Sequence, residues 1–157
     1  MSIGFGYDIH ALKKGRRLVL GGVRVPHPKG LDGHSDGDAL LHALTDAVLG
    51  ALGEKDLGSW FPDTDARWKG ADSRIFVDLA RRLLKKRRLR VEHMDSTIVA
   101  EEPKLGPHMD RIKQGVAAAF GVCASHIGVK AKSNEGFGMI GKGGAIACFA
   151  VVSLKPC

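Results

Sequence analysis

The chain has 157 residues, of which 44% are hydrophobic and 26% charged, and its formal net charge is +7. This length and composition are typical of one soluble globular domain with a buried core, and no apolar run approaches the roughly 20 residues that would cross a bilayer. The basic balance predicts an anionic partner, for which nucleic acid is only one candidate.

The cysteines and the N-terminus indicate the compartment. Three cysteines without CxxC spacing argue against a disulfide scaffold and for a reducing environment. The first residues show neither the basic region nor the apolar run of a signal peptide. We therefore expect a cytoplasmic protein with no membrane partner, or a protein of the plastid stroma if the source is a plant.

Strands and helices alternate in the hydrophobic pattern. Strands are predicted at 2–10, 91–100, 127–132 and 145–154, with a Gly-Gly hairpin over 17–25. Helices are predicted at 38–53, 73–88 and 107–120. This order predicts an α+β fold in a single domain, 1–157. We expect a sheet of about four strands with helices packed on one face, as in a ferredoxin-like sandwich, plus a small N-terminal hairpin.

The helix that begins near Asp38 is expected to organise the domain. Ser35 followed by Asp38 is typical of a capping box. His34 and Ser35 would then lie at the helix start, where free backbone N–H groups can hold an anion. Asp38, His42 and Asp46 recur at four-residue steps and predict a polar stripe on a largely apolar helix.

A first candidate site combines this helix with the first strand. Asp8 and His10 lie two residues apart, so both side chains project from one face of the strand. Such pairs are common on strands without binding a metal, and a lone His42 is more often a surface or core histidine. Taken together, the three residues would supply nitrogen and oxygen ligands with a fourth position open, which is the pattern of a catalytic zinc site.

Two polar loops are further candidates. The segment 55–70 is long for a structureless connection, which is typical of functional loops. Its Asp56 and Asp63 could bind sugar hydroxyls or a second metal, while Asp63 and Asp65 could equally form Asx turns. The segment 132–135 offers a cation, a hydroxyl and a carboxylate after a strand, or is an ordinary polar loop.

A basic run at 81–90 has two interpretations. It fits the solvated face and last turn of a helix, where cations complement the dipole. It also fits an RNA- or DNA-binding patch. No aromatic residue is interleaved with these charges, which favours the first interpretation.

Taken together, the motifs resemble the 2-C-methyl-D-erythritol 2,4-cyclodiphosphate synthase family over the whole chain. The matching stretches have the order and spacing of that family and lie at 6–10, 20–23, 34–38, 42–47, 56–58, 61–65, 69–74, 135 and 138. The resemblance implies a phosphorus–oxygen lyase of the non-mevalonate isoprenoid pathway. Such an enzyme cyclises 4-diphosphocytidyl-2-C-methyl-D-erythritol 2-phosphate by intramolecular phosphoryl transfer and releases CMP.

The resemblance also implies the assembly and the cofactors. The active sites would lie between the subunits of a homotrimer, and nucleic acid would not be a partner. Zn²⁺ or another divalent metal would be held by Asp8, His10 and His42. Glu135 would ligate a Mg²⁺ or Mn²⁺ ion bridging the substrate diphosphate. His34 and Ser133 would be catalytic residues that stabilise the transition state.

Substrate-binding residues follow from the same resemblance. They come from four regions of the chain: Asp8, Ile9, His10, His34 and Ser35; Asp56, Leu57, Gly58, Phe61, Pro62, Asp63, Thr64 and Asp65; Ala100, Glu101, Glu102, Pro103, Lys104, Leu105 and Gly106; Lys132, Ser133, Asn134, Glu135, Met139 and Lys142. The second region would hold the methylerythritol part of the substrate. The third region and 132–135 would hold the cytidine diphosphate part.

Two positions depart from the family pattern, which usually has Arg at 142 and Glu at 144. Here they are Lys142 and Gly144. Lysine keeps the positive charge but loses the bidentate phosphate contact of a guanidinium group. The change bears on binding of an isoprenoid diphosphate in the central cavity of a trimer more than on the substrate role of position 142.

Two rival functions remain at this point. One is a basic nucleic-acid-binding module that uses 85–90, which would need no metal. The other is a trimer that keeps its zinc but has lost turnover.

Overall fold

The computed structural model describes all of residues 1–157. Its strands are β1 (Ser2–Lys14), β2 (Leu18–Leu20), β3 (Val23–Val25), β4 (Lys29–Leu31), β5 (Leu89–Val99), β6 (Ile127–Lys132) and β7 (Ala145–Pro156). Five of them form one sheet in the order β4-β1-β7-β5-β6, and β2 pairs with β3 in a separate hairpin.

Three helices longer than ten residues pack on this sheet, and two single-turn helices lie in the loops. They are α1 (Ala39–Ala51), α2 (Leu57–Trp60), α3 (Arg74–Lys86), α4 (Met109–Phe120) and α5 (Gly138–Gly141). The predicted start of the third long helix is a separate 3₁₀ turn, Gly106–His108. No helix has the length and apolar character needed to cross a membrane.

The strand connections make the sheet mixed. β7 runs antiparallel to both β1 and β5, whereas β5 and β6 are parallel because α4 carries the chain back between them. The α+β class and the N-terminal hairpin are confirmed. The expectation of a ferredoxin-like sandwich is wrong, because a ferredoxin-like sheet is antiparallel throughout and the sheet of this protein is mixed. The sheet has five strands and not about four, because β4 was not predicted. This strand of three residues follows a proline and pairs with the end of β1.

Helix α1 lies directly against β1 at two glycines. A Cβ atom on Gly4 or Gly6 would come within 1.9 Å of the carbonyl oxygen of Ala47 or Ala43, respectively. Only glycine permits this approach of the two backbones. Because side chains alternate along a strand, Asp8 and His10 project toward the same side as these glycines and so toward α1.

The start of α1 differs from the prediction. The cap is Asp38, whose side chain accepts the N–H of Leu41, and not Ser35. The same buried carboxylate accepts the N–H groups of Gly21 and Gly22 in the hairpin turn. The helix dipole is therefore met by the protein's own carboxylate, and the predicted anion site at this helix start is wrong. The three polar residues of the predicted stripe on α1, Asp38, His42 and Asp46, do not share one site. Asp38 bonds the hairpin turn, and Asp46 accepts the N–H of Leu57.

The other face of the sheet is apolar and uncovered. Its exposed large side chains, between 40% and 65% accessible, are Ile3, Phe5, Tyr7, Ile9, Phe149 and Val151. Tyr7 and Phe149 lie side by side with ring centroids 5.0 Å apart. A monomeric protein rarely exposes so continuous an apolar surface, so this face has the character of an interface.

The basic run at 81–90 covers the end of α3 and the start of β5. Lys85 and Lys86 occupy the last turn of α3 and are exposed. Arg87 donates to Leu52 O and to the Glu54 carboxylate. The interpretation as the solvated end of a helix is therefore confirmed.

Candidate metal centre

Three ligand atoms from β1 and α1 converge at one point. Asp8 Oδ2 lies 3.0 Å from His10 Nε2 and 2.9 Å from His42 Nδ1. The two imidazole nitrogens are 3.2 Å apart. Tetrahedral ligands bonded to Zn²⁺ at about 2.0–2.1 Å stand about 3.3 Å from one another, so this triangle matches the face of such a site. The donor set of one carboxylate and two imidazoles fits a divalent metal with one position left open.

The environment of Asp8 favours a charged carboxylate. Burial works to raise the pKa of Asp8, but hydrogen bonds from His10 and His42, together with their charges, outweigh it and hold the pKa well below its usual range. A carboxylate that stays ionised is the form that binds a metal ion.

The ring of His42 is held on its other side by two serines. Its Nε2 lies 2.8 Å from Ser73 Oγ and 3.2 Å from Ser35 Oγ. Ser73 Oγ in turn donates to the Asp36 carboxylate, which also accepts the N–H of Ser73. His42 is therefore fixed by hydrogen bonds on the side away from Asp8 and His10.

A cavity of about 260 Å³ opens beside the three ligands. It is lined by His10, His34, Ser35, His42, Leu57, Gly58, Phe61, Asp63, Trp68 and Phe76. Four of the eight residues predicted to hold the methylerythritol part, Leu57, Gly58, Phe61 and Asp63, thus share a cavity with two of the candidate metal ligands and with His34. Their roles as ligand contacts stay predictions.

Loop 55–70 is more ordered than predicted, and its turns shape this cavity. Asp56 caps α2 by accepting the N–H of Ser59, and Asp65 caps the 3₁₀ turn Ala66–Trp68 by accepting the N–H of Arg67. The Asx-turn interpretation is therefore confirmed for Asp65. Arg67 also bonds the Asp65 carboxylate and lowers its pKa, and His34 Nε2 donates to Asp65 O over 3.1 Å. These bonds hold the loop over the metal ligands.

Three aromatic side chains form one wall of this cavity, and of these only Phe61 was predicted as a site residue. Phe76, a buried residue of α3, lies against His42 with ring centroids 5.4 Å apart. Phe61 packs between Phe76 and Trp68 with its ring steeply inclined to both, at centroid distances of 4.6 and 4.9 Å. Asp36 and Ser73 were likewise missed, because nothing in their local pattern points to a histidine elsewhere in the chain.

A second cavity, of about 430 Å³, lies at the far edge of the sheet. It is lined by Ala100, Pro103, Lys104, Leu105, Gly106, Pro107, Met109, Ala131, Lys132 and Ser133. The two segments predicted to hold cytidine diphosphate are thus neighbours. Glu101 joins them further, since its carboxylate accepts the N–H of Asn134 over 3.2 Å.

One chain does not bring all predicted site residues together, because the two cavities share no lining residue. Ile9 is paired with Ala147, which is paired with Val99, which is paired with Lys132. Three strand spacings therefore separate the metal ligands beside Ile9 from Lys132, or about 14 Å. Ser133 donates to the Glu135 carboxylate within its own loop. Met139 on α5 and Lys142 directly after it are both exposed.

The fold is α+β, and the site is a candidate divalent-metal centre with one position left open. Both features are typical of metal-dependent enzymes. Comparison with known proteins gives the family. The chain belongs to the YgbB family, whose model matches residues 1–155.

Named relatives agree with this assignment. The chain is 49% identical over 154 residues to the 2-C-methyl-D-erythritol 2,4-cyclodiphosphate synthase of Synechococcus sp. (strain JA-2-3B'a(2-13)), covering 98% of each chain. It is 50% identical over 153 residues to the protein of that name from Dechloromonas aromatica (strain RCB), covering 98% of this chain and 96% of the relative. A solved structure of a 2C-methyl-D-erythritol-2,4-cyclodiphosphate synthase in a CDP-bound form aligns with a TM-score of 0.89 and 39% identity, over 98% of this chain and 99% of that one.

Proposed function

We propose that the chain cyclises 4-diphosphocytidyl-2-C-methyl-D-erythritol 2-phosphate to 2-C-methyl-D-erythritol 2,4-cyclodiphosphate, with release of CMP. This is the activity for which its relatives are named. The observation that carries the proposal is the convergence of Asp8, His10 and His42 beside a cavity lined with candidate sugar-binding residues.

The reaction needs little help from a base. An oxygen of the 2-phosphate attacks the β-phosphorus, and the bond from that phosphorus to the bridging oxygen breaks, so that CMP leaves with the electron pair. The second pKa of a phosphate monoester is about 6, so the nucleophile is largely dianionic at pH 7. Catalysis then depends on positioning and on neutralising charge.

A metal ion held at the candidate centre would supply the charge neutralisation. A divalent ion held by Asp8, His10 and His42 would act as a Lewis acid on a phosphate oxygen of the substrate. We propose Zn²⁺ for this centre because two imidazole nitrogens suit zinc better than they suit magnesium. We further propose that the exposed Glu135 carboxylate ligates a Mg²⁺ or Mn²⁺ ion on the diphosphate, since these ions prefer oxygen ligands.

The first cavity is suited to the methylerythritol part of the substrate. Asp63 offers carboxylate oxygens to hydroxyl groups and Phe61 offers an apolar surface, while the exposed Asp56 lies next to Leu57 of the cavity lining. His34 lies in the same cavity, with its Nε2 bonded to Asp65 O. We propose that His34, with Ser133, stabilises the charge that develops on the transferred phosphate.

The second cavity is suited to the cytidine diphosphate part. Lys104 and Lys132 offer positive charge to phosphates, and the backbone of 100–106 offers polar groups to a base. We propose that this cavity on one subunit and the metal centre on a neighbouring subunit form one active site in a homotrimer. The separation of the two cavities in one chain supports this arrangement, as does the uncovered apolar face that carries Phe5, Tyr7 and Ile9.

The proposal is tested by supplying the purified protein with the substrate and following two products. CMP is measured by chromatography and the cyclic diphosphate by ³¹P NMR, first with Zn²⁺ and Mg²⁺ together, then after chelation, then with each ion restored alone. Equal amounts of CMP and cyclic product, abolished by the chelator, are expected. A folded, metal-loaded protein that releases no CMP would overturn the proposal.

A further inference from the structure

Ser73 stands at the N-cap of α3 but does not cap it. Serine is favoured at this position because its hydroxyl accepts an N–H from the first turn of the helix. Ser73 makes no such bond, and its backbone has helical dihedral angles of φ −62° and ψ −11°. Its hydroxyl is directed instead to His42 and Asp36. The residue type is thus used for something other than starting the helix.

The direction of these hydrogen bonds follows from the chemistry of the three groups. An ionised carboxylate can only accept, so the proton of Ser73 Oγ is donated to Asp36. Ser73 has no second proton to give. The contact of 2.8 Å between Ser73 Oγ and His42 Nε2 must therefore have the imidazole as donor.

This direction determines which ring nitrogen of His42 is free. A metal ion that binds Nδ1 displaces the proton that Nδ1 donates to Asp8, and the one proton that the bound imidazole keeps is then held on Nε2. Nδ1 is the atom that lies 2.9 Å from Asp8 Oδ2 and 3.2 Å from His10 Nε2. The lone pair of Nδ1 is then directed to the point where the metal would be held.

Because these residues are buried, water could not easily take the place of Ser73 as the hydrogen-bond partner of His42. Ser73 is fully buried, and Ser35 and His42 are 4% and 8% exposed. Ser35 Oγ, at 3.2 Å, is the only other partner of His42 Nε2, and it also accepts the N–H of Gly37. Without Ser73, His42 Nε2 would keep one longer bond.

We infer that Ser73 is a positioning residue that fixes the tautomer of His42 for metal binding, and that Asp36 acts through Ser73 by holding its proton. This inference rests on the proposed metal site. It adds two residues behind the three ligands: Ser73 at the N-cap of α3, and Asp36 on the loop before α1. Groups of this kind typically change metal affinity by about 10- to 100-fold when they are removed.

The test measures metal affinity and not turnover. Zn²⁺ affinity is determined by competition with a chromophoric chelator for the wild type, for Ser73→Ala and for Ser96→Ala. Ser96 is a matched control, since it is a buried serine on β5 whose Oγ donates to Gly128 O on the neighbouring edge strand β6. Ser73→Ala should bind Zn²⁺ about tenfold or more weakly, and Ser96→Ala should bind as the wild type does. Equal affinity of Ser73→Ala and the wild type would overturn the inference.

Asp36 is tested in a double-mutant cycle, because its carboxylate also accepts the backbone N–H groups of Ser73 and Asp38. Asp36→Asn should weaken Zn²⁺ binding when Ser73 is present. In the Ser73→Ala background it should change the affinity by no more than about twofold, since its route to His42 is gone. Equal losses in both backgrounds would show that Asp36 does not act through Ser73.

A spectroscopic measurement separates this inference from the proposed function. Co²⁺ replaces Zn²⁺, and the visible absorption of the ion reports how its ligands are arranged. The Ser73→Ala spectrum should differ from that of the wild type, while the Ser96→Ala spectrum should not. A wild type that binds neither ion would refute the proposed metal site. A wild type that binds, beside a Ser73→Ala variant with the same affinity and spectrum, would refute only the role of Ser73.

Discussion

The carboxylate of Asp38 accepts the backbone N–H of Gly21 over 2.9 Å and so joins the β2–β3 hairpin to the start of α1. The same carboxylate accepts the N–H groups of Gly22 and Leu41. Burial raises the pKa of Asp38, and the three backbone hydrogen bonds work against that rise. One side chain thus joins the hairpin to α1, the helix that carries His42.

Replacing Asp38 with alanine should therefore cost stability. Three backbone N–H groups would lose their acceptor, and we expect the free energy of unfolding to fall by about 2–5 kcal/mol. Urea unfolding of the metal-free protein measures this. Asp78→Ala, which removes an exposed carboxylate from α3, is the control and should change stability by less than about 0.5 kcal/mol. Similar values for the two variants would contradict the role given to Asp38.

The uncovered face of the sheet should hold the proposed trimer together. Replacing Phe5 and Val151 with glutamate places charge on a surface where they are 63% and 45% exposed in the single chain. We expect sedimentation to show monomers that keep the Zn²⁺ site but release no CMP, because each active site would lack its second half. Ala118→Glu, an exposed position on α4, should leave the assembly intact. An active monomer would contradict the shared site.

The cysteines should differ sharply in reactivity. A hydrogen bond from Ser125 lowers the pKa of the exposed Cys123, while burial raises the pKa of Cys148. Cys123 should thus form its reactive thiolate at a lower pH than an ordinary cysteine, whose pKa is about 8.5. Iodoacetamide labelling followed by peptide mapping measures each site across the pH range. Ser125→Ala should move the Cys123 midpoint upward, and labelling of Cys148 in the native protein would contradict its burial.

Local patterns predicted the long elements well, and they also pointed to the three side chains that cluster at Asp8, His10 and His42. The apolar spacing from Leu40 to Val48 and the segment 127–132 gave α1 and β6, because a helix or strand with one buried face carries its own period. Asp8 and His10 were recognisable because strand alternation alone puts them on one face. The predicted end of the third long helix at residue 120 is also correct, because the left-handed Gly121, with φ of 68°, ends α4 there.

The errors arose where distant residues decide the structure. Ser35 has the sequence of a helix cap, but Asp38 takes that role because the hairpin turn at Gly21 needs its carboxylate. β4 exists only because β1 continues to Lys14 and pairs with it. Ser73 fits the pattern of an ordinary helix start, and only the folded chain brings His42 within 2.8 Å of its hydroxyl.

The central claim is that CMP release depends on the metal centre of Asp8, His10 and His42. The most direct measurement compares bound Zn²⁺ and CMP release in the wild type, in His42→Ala and in His126→Ala, a control at an exposed histidine. We expect His42→Ala to keep the fold, to lose the metal and to retain less than about 1% of the activity, since the Lewis acid is gone. The control should match the wild type in both. CMP release by a metal-free His42→Ala protein at the wild-type rate would contradict the account.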